Sequence, residues 1–143
     1  MSNMKTQKSI ENYLETIYVL SQNGKPVRAV DIANFLEFSK PTVSVALKRL
    51  KNLNYINLDE HKHITLTKTG EKIALSMSNR HIILSDWLIM LGVDKDIAVA
   101  DACKIEHEIS EDSFLAIKKH IESAVASDVS INRPPTPNKK CEW

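Results

Sequence analysis

Apolar side chains recur at helical spacing along most of this chain, and two short alternating runs interrupt them. Ile10, Leu14 and Ile17 form a stripe, with Glu11, Asn12 and Glu15 on the polar side, which predicts a helix over residues 7–22. The run "NGKP" at 23–26 reads as a turn. A second helix is expected at about 29–37 ("AVDIANFLE"), broken at Phe38-Ser39. A third runs from about Lys40 to Leu53, with Val43, Ala46, Leu47 and Leu50 at helical spacing. Pro41 falls in its first turn, where a missing N–H is tolerated.

The strand-like runs are "YINL" (55–58) and "ITLT" (64–67), on either side of the polar "DEHKH", and they predict a β-hairpin. Thr67 can cap a long helix to about Leu91, with its stripe at Ile73, Met77, Leu84, Leu88 and Leu91, and Gly92 stops it. A helix at about 94–109 follows. Ser110, with Glu111 and Asp112 behind it, caps a last helix to about Ala126. The closing "NRPPTPNKKCEW" cannot continue a helix and is expected to be mobile. Helix, helix, helix, hairpin is the order of a winged helix-turn-helix, whose third helix enters the major groove and whose hairpin is the wing. The fold class expected is mainly α, with a winged helix-turn-helix at 1–75, an all-helical domain at 76–127 and a tail at 128–143.

Composition adds bounds rather than chemistry. The 143 residues are 43% hydrophobic and 26% charged, ordinary values for a globular chain with a small core. No apolar run approaches the roughly 18 residues of a membrane helix, and "MSNMKTQKSIEN" lacks a signal-peptide core. A soluble cytoplasmic protein without a membrane partner is expected. The 2 cysteines, Cys103 and Cys141, do not make a disulfide framework. The net charge of +1 is unevenly placed: residues 1–75 hold 11 Lys/Arg against 7 Asp/Glu, and residues 76–143 hold 8 against 11. A basic first half suggests a polyanionic partner.

The third helix carries the candidate DNA-reading face. Ser39, Lys40, Pro41, Thr42 and Ser44 cluster at its N-terminal end, where short side chains reach base edges without holding the helix out of the groove. Lys48, Arg49 and the wing's Lys62 suit phosphates, which set affinity and register. A solvated basic face on a structural helix is the bland alternative. In the wing, His61 and His63 form a His-x-His pair, but no third ligand is evident.

The stretch "ACKIEHEIS" (102–110) poses the second question. Cys103, Glu106 and His107 stand at i, i+3 and i+4, so on a helix they share a face. Ala98, Ala102, Ile105 and Ile109 form the stripe expected to be buried, which leaves the three polar groups on its shoulder. Thiolate, carboxylate and imidazole suit a divalent transition metal. A small buried cysteine beside a surface Glu–His pair, or a Cys–His nucleophile pair, fits the spacing too.

Several segments together resemble the diphtheria-toxin-repressor family of metal-dependent transcription regulators, most closely its short manganese-transport-regulator branch. They are "SIENYLETIYVL" (9–20), "VRAVDIANFLEFSKPTVSVALKRLKNLNYI" (27–56), "ITLTKTGEKIA" (64–74), "NRHIILSDWLIMLGV" (79–93) and "ACKIEHEIS". The resemblance implies a homodimeric repressor that binds a pseudo-palindromic double-stranded DNA operator, with a divalent metal as co-repressor and a helical dimerisation domain. It implies metal ligands Glu15, His81, Cys103, Glu106 and His107, with Asn12 a weak sixth. Asn12 stands where the manganese branch has aspartate and the iron branch methionine; Cys103 matches the iron branch's cysteine. The expected ion is therefore Fe2+ or Mn2+, with Zn2+ or Co2+ able to enter in vitro. Ser85 and Val99 replace the iron branch's second-site ligands, and the SH3-like third domain of long members is not expected here.

Trp87, Leu88, Leu91, Phe114 and Ile117 are candidate dimer contacts. An empty site would leave Glu15 and Glu106 repelling each other, and metal would neutralise them. Two rivals remain: a winged-helix regulator without metal control, and a small metal-dependent hydrolase using Glu106 as base, for which no substrate pocket is suggested.

Overall fold

The computed structural model describes residues 2–125, so the tail expected at 128–143 and Cys141 lie outside the described residues. Its helices are α1 (Ser2–Ser21), α2 (Ala29–Leu36), α3 (Lys40–Asn52), α4 (Lys68–Met90), α5 (Lys95–Glu108) and α6 (Glu111–Val125). The strands are β1 (Ile56–Leu58) and β2 (Ile64–Leu66). The mainly α winged helix-turn-helix followed by helices is the architecture expected. One boundary differs: α1 begins at Ser2 rather than near residue 7. No glycine or proline precedes Gly24, so nothing in the chemistry of the leading residues stops the helix earlier.

The chain divides into two compact units after Met77, within α4. In the first, Leu14 and Ile17 of α1, Ile32 of α2, Val43 and Leu50 of α3, and Ile56 of β1 are essentially without exposed surface. Full burial of each such side chain is worth ~1.5–3 kcal/mol, which is what holds three short helices against a minimal sheet. The turn between α2 and α3 is set by Glu37, whose φ of 59° is left-handed, with the Phe38 amide bonded back to the Ala33 carbonyl at 3.0 Å. Ser39 then caps α3, its hydroxyl accepting from the Thr42 amide, with Pro41 in the first turn as the sequence predicts.

The wing is antiparallel, with Ile56 opposite Leu66 and Leu58 opposite Ile64. The start of β2 is pinned by the Ile64 amide on the Val27 carbonyl at 2.8 Å. The wing tip is folded around Asp59, whose Oδ1 accepts from the His61 and His63 amides, both at 2.8 Å. Thr67 closes the wing and opens α4: its amide donates to the Tyr55 carbonyl, while its hydroxyl accepts from the Gly70 amide. Here only glycine fits, since a Cβ on Gly70 would stand 2.1 Å from the Tyr55 carbonyl oxygen. At the far end of α4, Gly92 has a φ of +103° and terminates the helix.

In the second unit Ile83, Leu84, Ala102, Phe114 and Ile121 form the core, with Trp87, Ile105, Ile109 and Ile117 packed against it. Phe114, expected in a dimer contact, is 4% exposed within a single chain because it fills this core. Among the described residues of this unit, the large apolar side chains left on the surface are Met90, Leu91, Ile97 and Leu115.

Two outcomes follow. Gly70→Ala must displace backbone, and a loss of ~1–3 kcal/mol or more is expected in chemical denaturation. Backbone amides, His63 first, hold the Asp59 carboxyl below its ordinary value of 3.8. Its ordering of the wing tip is therefore complete above pH 3.8 and lost as the pH falls through the lowered value. Amide NMR should show an acidic step in the His61 and His63 resonances that is absent in Asp59→Ala.

Candidate metal centre and nucleic-acid interface

The polar cluster of the second unit is built where α4 meets α5. Asp94 caps α5 by accepting from the Asp96 amide, and the helix then runs unbroken, so Cys103, Glu106 and His107 do share a face. Their burial exceeds the shoulder position expected: Cys103 is 1% exposed and Glu106 0%. Of the stripe expected to be buried, Ala98 and Ala102 are fully buried, and Ile105 and Ile109 are half-buried. The helix thus buries its carboxylate alongside part of its apolar stripe, which needs compensating partners on the neighbouring helix.

His81 of α4 supplies one, its Nδ1 lying 3.0 Å from Glu106 Oε2. His107 Nε2 stands 3.3 Å from the other oxygen, Oε1. Burial alone would raise the Glu106 carboxyl, but the His107 and His81 imidazoles more than offset it and hold the carboxyl below its ordinary value. Glu106 is thus an ionised acceptor, so His81 Nδ1 carries the hydrogen that it donates. That leaves the lone pair of a neutral His81 on Nε2, which is buried and has no hydrogen-bond partner among the described residues.

A buried imidazole nitrogen aimed at no donor is costly unless something else takes the lone pair. One ligand atom from each of His81, Cys103 and Glu106 falls within 4.8 Å of the others. Nitrogen, sulfur and carboxylate oxygen at that separation fit a divalent transition metal, so the donor set passes the test of its own chemistry. Ligation by the Cys103 sulfur requires the reduced thiolate. Ser85 does not face a ligand role: its hydroxyl donates to the His81 carbonyl at 2.7 Å, one turn back on α4.

Glu15 and Asn12 belong to the first unit, three residues apart on α1. Asn12 is 5% exposed, and its Nδ2 has no hydrogen-bond partner among the described residues. An amide nitrogen has no lone pair to offer a metal, so only the carbonyl oxygen of Asn12 is available for such a role.

The first unit presents the second candidate surface. Ser39, Lys40, Pro41, Thr42, Ser44, Lys48 and Arg49 are all exposed on α3, and Lys62 is exposed at the wing tip with a left-handed φ of 60°. The Ser39 and Thr42 hydroxyls are 2.7 Å apart, so the head of α3 is an ordered pair of donors and acceptors. A groove of about 380 Å³ between α3 and the wing is lined by Ser44, Lys48, Lys51 and Lys62. His63 is occupied otherwise: Asp59 Oδ2 lies 3.3 Å from Nδ1 and Arg28 Nη2 3.2 Å from Nε2. Among the described residues no acid, histidine and cysteine cluster of metal-binding spacing includes the wing histidines.

Sequence reasoning did not find Arg28, Asp59 or Arg80. Each acts through a partner distant in the chain or through backbone groups, and spacing along one helix carries no trace of that.

Two family descriptions match the chain: "Iron dependent repressor, N-terminal DNA binding domain" over residues 5–64, and "Iron dependent repressor, metal binding and dimerisation domain" over residues 67–126. The transcriptional regulator MntR of Salmonella typhimurium is 40% identical over 110 residues, covering 75% of this chain and 70% of that protein. An uncharacterised helix-turn-helix-type regulator of Methanocaldococcus jannaschii is 32% identical over 117 residues, covering 80% of this chain and 94% of that one. Among solved structures, the manganese regulator SloR superposes with a TM-score of 0.71 at 27% identity. A manganese-dependent transcriptional repressor in complex with manganese superposes at 0.70 and 26%. Those alignments cover 79% and 78% of this chain but 53% and 52% of those chains, so it spans about half their length. The chain belongs to the iron-dependent repressor family, the diphtheria-toxin-repressor family that its motifs resemble, on the side of the manganese regulators.

Proposed function

We propose that this protein is a metal-dependent transcriptional repressor, a regulator rather than an enzyme. It binds a pseudo-palindromic operator as a cytoplasmic homodimer when a divalent metal is held by His81, Cys103, Glu106 and His107. Family membership supports the class. The observation that carries the metal assignment is the buried, unpartnered His81 Nε2 beside a sulfur and a carboxylate. The resemblance adds Glu15 and, weakly, Asn12 as further ligands. Hard carboxylate and borderline imidazole donors suit Mn2+, and a thiolate shifts the balance towards Fe2+. When bound, the metal supplies positive charge and a fixed geometry that the protein's own side chains lack.

In the same proposal Thr42 and Ser44 read base edges, while Lys48, Arg49 and Lys62 hold phosphates on either side of the groove beside α3. The proposal places DNA binding in 1–75 and metal binding and dimerisation in 76–127. Among the described residues no helix is long and apolar enough to cross a membrane.

The test is calorimetric titration of reduced, metal-free protein with Mn(II) and, anaerobically, with Fe(II), while affinity for a duplex selected from a random pool is followed. Saturable binding that tightens DNA affinity tenfold or more is expected, and the metal that couples more strongly is the co-repressor. His81→Ala should weaken metal binding at least tenfold and leave the metal-free DNA affinity in place. DNA affinity indifferent to a chelator would leave a winged-helix regulator without metal control. Lys48→Ala should lower the salt slope of DNA binding by about one for every sequence alike, whereas Thr42→Ala should cost ~1–3 kcal/mol at one base position and relax preference there.

A further inference from the structure

Arg80 precedes His81 on α4 and is 8% exposed, yet it is neither a metal ligand nor on the DNA face. Its Nη1 donates to the Glu106 carbonyl at 3.1 Å and to the Ile109 carbonyl at 3.0 Å. Its Nη2 donates to Glu111 Oε2 at the first turn of α6, and its guanidinium carbon lies 5.1 Å from the Phe114 ring centroid. A helix leaves its last four carbonyls without intrahelical partners. Arg80 takes up two of these groups at the end of α5, although it lies 26 residues before Glu106 and 29 before Ile109.

The choice of carbonyl matters. Two successive α4 residues grip one α5 residue: Arg80 holds the main chain of Glu106, and His81 holds its carboxylate. With both ends fixed, Glu106 keeps Oε2 on His81 and Oε1 towards His107. The planar guanidinium fork is what allows one side chain to serve two carbonyls and a carboxylate together; a lysine ammonium on its flexible stem has no such fixed geometry.

We propose that Arg80 is the positioning residue of the metal centre. It sets the last turn of α5 so that Glu106 and His107 meet His81, and Glu111 in turn holds the guanidinium in place. This rests on the metal site proposed above. Residues that orient ligands without touching the metal commonly govern affinity by tenfold to a hundredfold.

The experiment compares wild type, Arg80→Lys and Glu111→Gln as full-length reduced protein. Metal-free unfolding temperature, Mn(II) affinity by calorimetry and the visible spectrum of the Co(II)-loaded form are measured for each. Arg80→Lys is expected to weaken Mn(II) binding tenfold or more in protein that still melts cooperatively, with a shifted Co(II) spectrum. Glu111→Gln, altering a residue whose side chain is 62% exposed, should weaken binding about threefold. A lowered melting temperature with unchanged Mn(II) affinity and Co(II) spectrum in both variants would make Arg80 a fold staple and overturn the proposal. Should Arg80→Lys not fold, Glu111→Gln decides: a threefold loss supports the role, and wild-type affinity overturns it. Wild-type protein that binds no Mn(II) would remove the metal site and this role with it. Equal binding by all three proteins would remove the positioning role alone.

Discussion

A carboxylate with no exposed surface governs the second unit. Taking an ion of this size out of water costs several kcal/mol even after the surroundings relax, and stripping one partner from a buried pair typically costs ~3–5 kcal/mol. Glu106 answers that penalty with an imidazole near each oxygen, and the balance falls on the side of ionisation. The orientation of α5 follows from this. The helix buries Cys103 and Glu106 beside Ala98 and Ala102, while Ile105 and Ile109 cover the core only in part.

Comparable economy shapes the first unit, where backbone rather than side-chain charge is the limiting quantity. Three-residue strands have too few ladder bonds to stand alone. The wing is therefore held at the start of β2 by Val27, at its tip by Asp59 and at its exit by Thr67. Arg28 adds a side-chain tie to His63, so the wing histidine has its place in the fold without a metal. Lys62, in the left-handed region between the two histidines, is left pointing to solvent beside α3.

Much of this was legible in the sequence because it is local. Pro41 in the first turn of α3, Thr67 before α4, Ser110 before α6 and Gly92 after α4 are signals spelled within a few residues, and each stands where expected. The i, i+3, i+4 set on α5 was legible for the same reason. What spacing could not convey was depth. Cys103 and Glu106 read as shoulder residues because hydrophobicity alone assigns a charged group to the surface, whereas the pairing that permits burial comes from His81 on another helix. Phe114 misled in the opposite sense, since an aromatic on an amphipathic helix looks the same whether it faces its own core or a second subunit. Arg80 left no pattern, because the carbonyls that it serves have no side-chain signature.

The pairing of Glu106 also changes how a metal would act. Mutual repulsion of carboxylates in an empty site was the sequence expectation, but Glu106 is already compensated by imidazoles without any ion. An entering metal would then exchange partners rather than quench bare charge. His81 can keep its Nδ1 contact and offer Nε2, as histidine ligands commonly do with a carboxylate behind them. His107, by contrast, must give up its approach to Oε1, and any proton it carries, if that oxygen or its own Nε2 is to bind. The energetic difference between the two states is therefore the difference between two compensated arrangements. Metal availability can shift the balance only by the differential affinity of the ion for the second arrangement.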